Sequence, residues 1–360
     1  MKDVAQRADV SIQTVSAVIN DKPGITRETR ARVLAAVQEL GYRPYSIARS
    51  LRTGQTHTIA LFVPDIANPS FSTIAGAAED YAHTFGYSLI VYNTRDDLER
   101  ETSYIQAVTQ RWIDGVLFVA AGDRMSGLDA LAQAHIPAVA IDRIPEGYGG
   151  PSVTLDNVRA ARVATDHLLD LGHTAIAHIS GPQHLRLARE RRAGWQQALA
   201  ARGLAPGPCA GGDGSWECAS GYRAMQAMLM CPELPTAVFA ASDRMAIGAM
   251  RSIHEAGLRV PDDISVIGLD DIEMAAFQCP PLTTVGQSFT NLAVQAVQLL
   301  LLFLAGAEVA APQIVMAPEL VIRQSTGPCQ ASSLQGGAIL SSVQRIPVES
   351  IKESVGVPDR

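Results

Sequence analysis

In this 360-residue chain, several charged and polar residues stand directly after short apolar runs that are typical of β-strands. A carboxylate accepts hydrogen bonds from hydroxyl groups, and a guanidinium donates two parallel hydrogen bonds. Together they suit the neighbouring hydroxyls of a small polar ligand. A single acid at a strand end more often caps a helix, and only the joint position of the set favours a binding site. The set comprises Asp142, Arg143, Asp243 and Asp270, together with Asn68 and the aromatic Phe71, which lie a few residues beyond the apolar run Thr58–Val63.

The elements that must position this set alternate between short apolar strands and amphipathic helices from residue 57 onward. Such alternation predicts an α/β architecture of parallel, doubly wound sheets, which bind ligands at the carboxyl ends of their strands. The pattern partly restarts near Asp156 and so predicts two similar lobes. The strand candidates are Thr58–Val63, Ser88–Tyr92, Gly115–Val119, Ala138–Ile141, Ala175–Ile179, Ala237–Ala240 and Ile264–Leu269, with helices at Phe71–Phe85, Arg159–Leu171 and Arg191–Arg202.

A different pattern occupies the first 41 residues, where the spacing predicts three short helices, at about Lys2–Ala8, Ser11–Asn20 and Thr26–Leu40. Two helices joined by a tight turn and closed by a third form a helix-turn-helix. Asp9 takes the turn, where a left-handed backbone is expected. The third helix is expected to bury Val33, Leu34, Val37 and Leu40.

The second of these helices carries the candidates for DNA contact. Its outward residues, opposite the apolar face, are Ile12, Gln13, Ser16 and Ala17. Gln13 can bond bidentately to adenine, and Ile12 can touch a thymine methyl group. The short donors suited to phosphates are Ser11, Thr14, Ser16, Asn20 and Thr29. The alternative for Ser11 and Thr14 is that they only cap the helix, and both roles can hold together.

The charge distribution supports a small DNA-binding head on a larger body. Residues 1–54 contain nine basic and five acidic residues, whereas the whole chain has a net charge of −7. A basic head on an acidic body restricts phosphate attraction to one end. There is no signal-peptide pattern and no run long enough to span a bilayer, which predicts a cytoplasmic protein without membrane contact. Five cysteines without CxxC spacing predict reduced thiols and no metal site.

Catalysis has little support in the sequence, because GxSxG, HExxH, P-loop and GxGxxG motifs are all absent. We therefore expect no enzyme activity and no cofactor. Two rival classes share part of the pattern. An exported solute-binding protein would have the lobes but would need an export signal and no basic head. A sugar-processing enzyme would need an acid/base pair in the cleft, which the cleft acids alone do not exclude.

Several dispersed motifs resemble those of the lactose-repressor (LacI) family, in the same order along about residues 1–326. Those similar to the family's head and hinge are Lys2–Ala5, Val10–Ser16, Thr29–Arg30, Leu40–Pro44 and Ala48–Leu51. Those similar to its sensor domain are Val63–Pro69, Leu171–His173, Arg191–Trp195, Pro261–Gly268 and Pro281–Val285.

The resemblance implies a helix-turn-helix head (1–44), a hinge helix and linker (45–55) and a two-lobe sensor like a periplasmic binding protein (56–326). The N-lobe would comprise about 56–155 and 287–316, and the C-lobe about 156–286 and 317–326, with three crossing strands. Residues 327–360 are expected to form a flexible tail. Two such chains would form a homodimer.

The resemblance also implies roles for individual residues. Arg191 would reach the ligand, Trp216 and Phe289 would form an aromatic wall, and Gln287 would lie on the last crossover. The hinge residues Ala48 and Leu51 would contact DNA, with Leu51 wedged between base pairs in the minor groove. Two departures are Ala17, where many relatives have Arg, and Tyr45, where Asn is usual. The operator of a relative therefore cannot be assumed for this chain.

The combined prediction is a repressor, bacterial and nucleoid-associated, that binds a near-palindromic operator under the control of a small effector. Its cleft residues suggest a neutral mono- or disaccharide. A purine is the main rival, because aromatic residues could sandwich a base. A phosphorylated sugar is the next, although three acids facing two arginines disfavour a dianion.

Overall fold

The computed structural model describes residues 1–19, 22–42, 55–110, 113–123, 127–207, 211–307 and 312–330. Three of the predicted DNA-contact residues, Asn20, Ala48 and Leu51, lie outside the described residues. Almost all of the predicted hinge and the predicted tail from residue 331 onward do so as well.

The head consists of three helices, α1 (Lys2–Ala8), α2 (Ile12–Ile19) and α3 (Arg27–Glu39), which confirms the helix-turn-helix prediction. Asp9 ends α1 in the left-handed conformation, with φ 52°, as the sequence predicted. The core of this domain is small and is formed by Val4, Ala5, Ala8, Val15, Val18, Val33 and Ala36.

The predicted core of α3 is half wrong. Val33 is buried and Val37 packs against the core, but Leu34 and Leu40 are 51% and 45% exposed. Ala36 is buried instead. A three-helix domain of this size covers only a narrow stripe of each helix, and Leu34 lies about 100° around the axis from Val33.

The first large sheet has the strand order β11-β5-β4-β3-β1-β2, and all its neighbouring strands are parallel. Its strands are β1 (Thr58–Val63), β2 (Ser88–Asn93), β3 (Gly115–Phe118), β4 (Ala138–Ile141), β5 (Ser152–Leu155) and β11 (Gln313–Met316). Helices α4 (Pro69–Thr84) and α12 (Phe289–Leu304) cover one face, and α5 (Leu98–Thr109) and α6 (Leu128–Gln133) cover the other. Alternation along β1 sends Leu61 to the first face and Phe62 to the second.

The second sheet has the strand order β12-β10-β9-β8-β6-β7. Its strands are β6 (Ile176–Ser180), β7 (Gly211–Asp213), β8 (Ala237–Ala240), β9 (Ser265–Asp270), β10 (Thr283–Gly286) and β12 (Glu319–Val321). Helices α7 (Asn157–Asp170) and α8 (Arg186–Ala201) cover one face, α9 (Cys218–Leu229) and α10 (Asp243–Glu255) cover the other, and α11 is Glu273–Ala276. This sheet is parallel except for β12, which pairs antiparallel with β10 at the edge.

The two sheets define two lobes, and the chain passes between them three times. The passages follow Leu155 at the end of β5, Gly286 at the end of β10 and Met316 at the end of β11. The predicted doubly wound α/β fold is confirmed. The sequence did not identify β5, β7, β10, β11 or β12, because these short strands contain polar or glycine residues that interrupt the apolar pattern.

Three further expectations meet the structure at other places. Residues 327 and 329, assigned to the flexible tail, are hydrogen-bonded to the C-lobe through Ser265 and Leu171. Cys231 is disulfide-bonded, which contradicts the expectation of reduced thiols; sequence spacing does not reveal which cysteines meet in space. The most apolar stretch of the sequence, Leu292–Leu304, predicts a buried or dimer-facing helix, and it forms most of α12, which packs on the N-lobe sheet.

Among the described residues, no helix has the length and apolar character needed to cross a membrane. The same residues contain no group of three or more His, Cys, Asp or Glu arranged to hold a metal ion.

Candidate functional site

The outward face of α2 lies at the surface of the head. Ser11, Ile12 and Gln13 are exposed, and Thr14, Ser16 and Ala17 are half-buried around them. Ile12 is a large apolar residue with 44% exposure, similar to that of Leu34 and Leu40 in the same domain. This arrangement presents Gln13 and Ile12 side by side to an external partner, as major-groove contacts require.

Three of the predicted phosphate donors, Ser11, Thr14 and Thr29, already make internal hydrogen bonds. Oγ of Ser11 accepts from the backbone N–H of Thr14 (3.1 Å) and lies 2.9 Å from the hydroxyl of Thr14. Thr29 is bonded in the same way to Thr26, the N-cap of α3 (3.3 Å from its N–H). Both hydroxyl pairs therefore begin helices, and each hydroxyl oxygen has a further lone pair with which it can accept another hydrogen bond.

Between the two sheets lies a buried cluster of charged residues from both lobes. Asp142 follows β4, Asp270 ends β9, and Arg191 projects from α8. Their exposures are 6%, 9% and 2%. Nη1 of Arg191 lies 3.6 Å from Oδ1 of Asp270, and Gln287 donates to the same oxygen from 3.0 Å. These four residues, with Trp216, constitute what we call the cleft cluster.

The backbone at the ends of β4 and β9 explains why these acids point inward. Asp142 and Asp270 both have positive φ, at 60° and 125°. Such a conformation breaks the alternation of the strand and costs energy in a residue other than glycine. Its presence in both acids is an observation that favours a functional role for them.

Burial changes the protonation of both carboxyl groups. Desolvation raises the pKa of Asp270 to about 8; Arg191 lowers that pKa, whereas Asp243 and Asp142 raise it. Burial also raises the pKa of Asp142, against the lowering by Arg191 and Arg143. The arginines thus offset only part of the cost of two buried carboxylates. Additional hydrogen-bond donors in the cleft would stabilise the carboxylates of Asp142 and Asp270.

Arg191 is held by groups that the sequence analysis did not identify. Nη1 donates to the carbonyl oxygen of Ala241 (2.6 Å), and Nε donates to Oδ1 of Asn157 (2.9 Å). The guanidinium carbon lies 5.6 Å from the centre of the Trp216 ring. A buried arginine needs such partners, since its charge would otherwise lie unpaired. The available signal was the Asp156-Asn157 pair directly after a strand, a pattern that is also typical of a simple helix cap.

Arg143 lies on the N-lobe side of the cleft. Its guanidinium carbon stacks over the Phe71 ring at 5.1 Å, and Nη1 is paired with the carboxylate of Asp96. The sequence did not predict a role for Asp96. This residue lies in the turn after β2, and its left-handed φ of 53° is set by the fold. Phe289 packs in the same apolar cluster as Phe71. Asn68 caps α4 by accepting from the N–H of Ser70 (3.1 Å).

Asp243 stands apart from the cleft cluster. It is fully buried, and its two oxygens accept from the hydroxyl of Thr284 (2.6 Å) and the N–H of Ile272 (2.9 Å). Burial raises its pKa to about 6, although both hydrogen bonds lower it. The structure thus gives Asp243 internal partners that join β10 to the segment after β9, rather than the ligand-facing position that the sequence suggested.

Three buried polar atoms near the cleft have no hydrogen-bond partner within the described part of the chain. They are Oδ1 of Asp142, Oε1 of Gln287 and Nε1 of Trp216. Native proteins rarely leave such atoms unpaired, so each suggests a missing partner. Two are acceptors and one is a donor, which matches a ligand that can both donate and accept, such as one with hydroxyl groups.

Contacts between the lobes surround this cluster. Asp123 of the N-lobe accepts from the N–H of Arg186 (2.9 Å) and pairs with Arg189 (2.8 Å). A cavity of about 230 Å³ lies beside the cluster, between β5, β11 and the start of α8. Asp142 and Arg143 line this cavity, but Arg191, Trp216 and Asp270 do not. The lobes therefore meet closely around the cleft cluster.

Comparison with known proteins finds similar sequences for both the head and the two-lobe domain. Residues 1–45 match the family of bacterial regulatory proteins, lacI family, and residues 165–326 match the periplasmic binding protein-like domain. The HTH-type transcriptional repressor PurR of Pasteurella multocida (strain Pm70) is 38% identical over 326 residues, which cover 90% of this chain and 98% of that protein.

Two solved structures are similar along most of their length. The lac repressor dimer bound to operator and the anti-inducer ONPF has a TM-score of 0.84 and 33% identity, and the match covers 90% of this chain and 98% of that one. A LacI family transcriptional regulator from Enterococcus faecium with bound ribose has a TM-score of 0.70 and 28% identity, covering 76% of this chain and all of that one. This protein is therefore a DNA-binding transcriptional regulator, and it belongs to the lacI family of bacterial regulatory proteins.

Proposed function

We propose that this chain is a homodimeric repressor whose affinity for a near-palindromic operator is controlled by a small neutral carbohydrate. Residues 1–44 bind the DNA, 45–55 form the hinge and 56–326 form the sensor, with lobes divided as the sequence suggested. The protein acts in the bacterial cytoplasm at the nucleoid. The effector class is inferred mainly from the cleft cluster, in which Asp142, Gln287 and Trp216 retain unpaired polar atoms beside the buried pair of Arg191 and Asp270.

On the DNA side, each protomer contributes one α2 helix to one half-site. Gln13 contacts a base edge and Ile12 packs on a thymine methyl group, since both are exposed at the start of α2. Ser11, Thr14, Ser16 and Thr29 bind phosphates, together with Asn20 from outside the described residues. Ala17 is small, so the adjacent base is read by shape or by apolar contact.

On the effector side, a sugar supplies the partners that the cleft cluster lacks. Its hydroxyls donate to Asp142 and Asp270, which are costly to ionise while buried, and accept from Arg191. Arg143, Gln287, Asn68 and the rings of Phe71, Trp216 and Phe289 complete the wall. Asp243 contributes indirectly, by holding β10 against the segment that follows Asp270.

A purine is a weaker candidate for this cleft. A base would stack between aromatic rings, but Arg143 already covers a face of Phe71 and Arg191 covers a face of Trp216. A base stacked on these same faces would displace both guanidinium groups and leave their charges without these partners in a buried site. A neutral sugar can instead contact the ring edges and leave both arginines in place.

The hinge transmits the effect of the ligand to the DNA. A segment as short as Tyr45–Leu51 is marginal as an isolated helix, so it folds where two hinges meet on the operator with Leu51 in the minor groove. A ligand that changes the angle between the lobes changes the spacing of the hinges. The resulting coupling is about 1–3 kcal/mol, which is typical of allosteric proteins.

A thermal-shift screen of the full chain tests the effector class. The probes are D-ribose, D-glucose, cellobiose, D-ribose 5-phosphate, adenine and guanine, each also tested on Asp270→Asn and Arg191→Ala. At 100-fold its dissociation constant, a bound probe adds about 2.7 kcal/mol of stability. We expect a neutral sugar to raise the melting temperature and both variants to lose that effect. A shift produced only by nucleobases, or a sugar effect that survives both substitutions, would refute the assignment.

A further inference from the structure

The first passage between the lobes is a single residue long and lies next to the cleft cluster. Strand β5 ends at Leu155, helix α7 begins at Asn157, and only Asp156 lies between them. Asp156 caps α7 by accepting from the N–H of Arg159 (3.0 Å). The structure thus confines any change of angle between β5 and α7 to a very short segment.

Asn157 uses both ends of its amide within this segment. Its Nδ2 donates to the carbonyl oxygen of Leu155 (3.3 Å), and its Oδ1 accepts from Nε of Arg191 (2.9 Å). The side chain is 3% exposed, so neither end exchanges its partner for bulk water at low cost. One amide group therefore joins the last residue of an N-lobe strand to an arginine of a C-lobe helix.

The guanidinium of Arg191 depends on this contact for its direction. Nη1 is bonded to Ala241 and lies near Asp270, and Nε is bonded to Asn157. Two anchors on different atoms fix both the position and the plane of the group, whereas one anchor would let it rotate. Without Asn157, Nε–H would also be a buried donor that lacks its partner.

We infer that Asn157 is a positioning residue that links the angle between the lobes to the direction of Arg191 in the cleft. When the lobes move, the carbonyl of Leu155 shifts relative to α7, and the amide of Asn157 carries that shift to Nε of Arg191. Conversely, a ligand that fixes Arg191 favours one arrangement of the passage. The link to ligand binding rests on the proposed function, in which Arg191 contacts the effector.

The test distinguishes the two hydrogen bonds made by the side-chain amide of Asn157. Asn157→Leu removes both hydrogen bonds at similar volume. Asn157→Asp keeps an acceptor for Arg191 but replaces the donor to Leu155 by an oxygen. Gln197→Leu is the matched control, because it makes the same chemical change at an exposed position of α8, the helix that carries Arg191.

The first measurement needs no ligand and is the hydrogen exchange of Arg191 Nε–H, followed by nitrogen-15 NMR of the full chain. We expect exchange at least about tenfold faster in Asn157→Leu and near wild-type rates in Asn157→Asp and Gln197→Leu. If Asn157→Leu does not fold, the aspartate variant decides, because loss of protection there contradicts the inference. An unchanged rate in Asn157→Leu also overturns it.

The second measurement is the affinity for D-ribose and the ratio of operator affinities with and without it. Asn157→Asp should keep the D-ribose dissociation constant within about threefold and lower the operator ratio by about fivefold or more, which a purely structural defect would not separate. Equal loss of both quantities contradicts the inference. If D-ribose fails to bind the wild type, the choice of sugar is wrong, and the exchange rates still decide the role of Asn157.

Discussion

The helix-turn-helix head and the interlobe cleft both carry polar binding groups, yet their surroundings are opposite. Ser11, Ile12 and Gln13 are exposed on one short helix. Arg191 and Asp270 are almost fully buried and come from separate segments of the C-lobe. In the proposed function, the groups on the head meet their partners only when DNA binds, whereas the groups in the cleft already bear the cost of leaving water.

This difference in burial determines whether a substitution changes binding alone or also the stability of the free protein. An exposed reading residue contributes to binding and adds little to the stability of the free protein. A buried charge contributes to both, because its removal leaves its neighbours uncompensated. Stability measurements should therefore distinguish the two regions before any ligand or operator is added.

The largest effect is expected for Arg191→Ala. It removes the charge that partly offsets Asp270 and Asp142, and it leaves the Asn157 and Ala241 acceptors unpaired. Loss of one partner of a buried pair costs about 3–5 kcal/mol of unfolding free energy, measurable by urea denaturation. Arg192→Ala, at the neighbouring exposed position of α8, should change stability by less than about 0.5 kcal/mol. Similar losses in the two variants would contradict this account of the cleft.

Next in size is the pH dependence that Asp270 introduces. Its pKa is about 8 in the folded protein, above the ordinary value, so unfolding at neutral pH releases a proton. Its contribution to stability is present at pH 4 and is lost as the pH rises toward 8. Between pH 5 and 7 this amounts to at most about 2.7 kcal/mol.

Asp270→Asn should remove that part of the slope, as followed by urea denaturation at several pH values. Glu101, with a pKa of about 7, and Asp243 add slopes of the same sign, so the difference between wild type and variant is the diagnostic quantity. Asp129→Asn, at an exposed position, should leave the slope unchanged. An identical slope in Asp270→Asn would show that this carboxyl group is ionised in the folded state.

On the head, Gln13→Ala should weaken operator binding by about 1–3 kcal/mol at one base position per half-site. The unfolding free energy should stay within about 0.5 kcal/mol of wild type, because Gln13 is exposed. Gel-shift titrations with operator and scrambled DNA measure the first quantity. Gln6→Ala, an exposed glutamine on α1, is the control. Equal affinity of the wild type for both DNAs would refute sequence-specific binding.

The smallest effect is expected at Ser11, where the two possible roles can be separated. Ser11→Ala removes the acceptor for Thr14 N–H and should destabilise the head by about 1 kcal/mol. Ser11→Asp keeps the cap, so stability should be retained, but its negative charge should repel a phosphate and weaken operator binding. Amide exchange of Thr14 and gel shifts report the two quantities. Unchanged binding in the aspartate variant would leave Ser11 as a cap only.

The fold was largely predictable because its signals are local. Apolar runs located β1, β4 and β8 to within one residue, and the helical spacing located α1 and α2. Errors arose where local pattern and packing diverge. Leu34 fits an apolar stripe but lies outside the narrow face that a three-helix head can bury.

The residues of the candidate sites also divide into those that local pattern predicts and those that depend on packing. The exposed residues of α2 follow from the periodicity of one helix, and the acids at strand ends follow from the topology of parallel sheets. Those patterns already specified a head for DNA, a two-lobed sensor and the cleft that contains Asp142 and Asp270. Only the tertiary structure determined that Asp243 accepts hydrogen bonds from Thr284 and Ile272. It alone also showed that Asn157 binds Arg191 and that Asp96 pairs with Arg143. The reason is physical: these partners are up to 47 residues apart, and side-chain hydrogen bonds in a buried cleft depend on how separate segments pack.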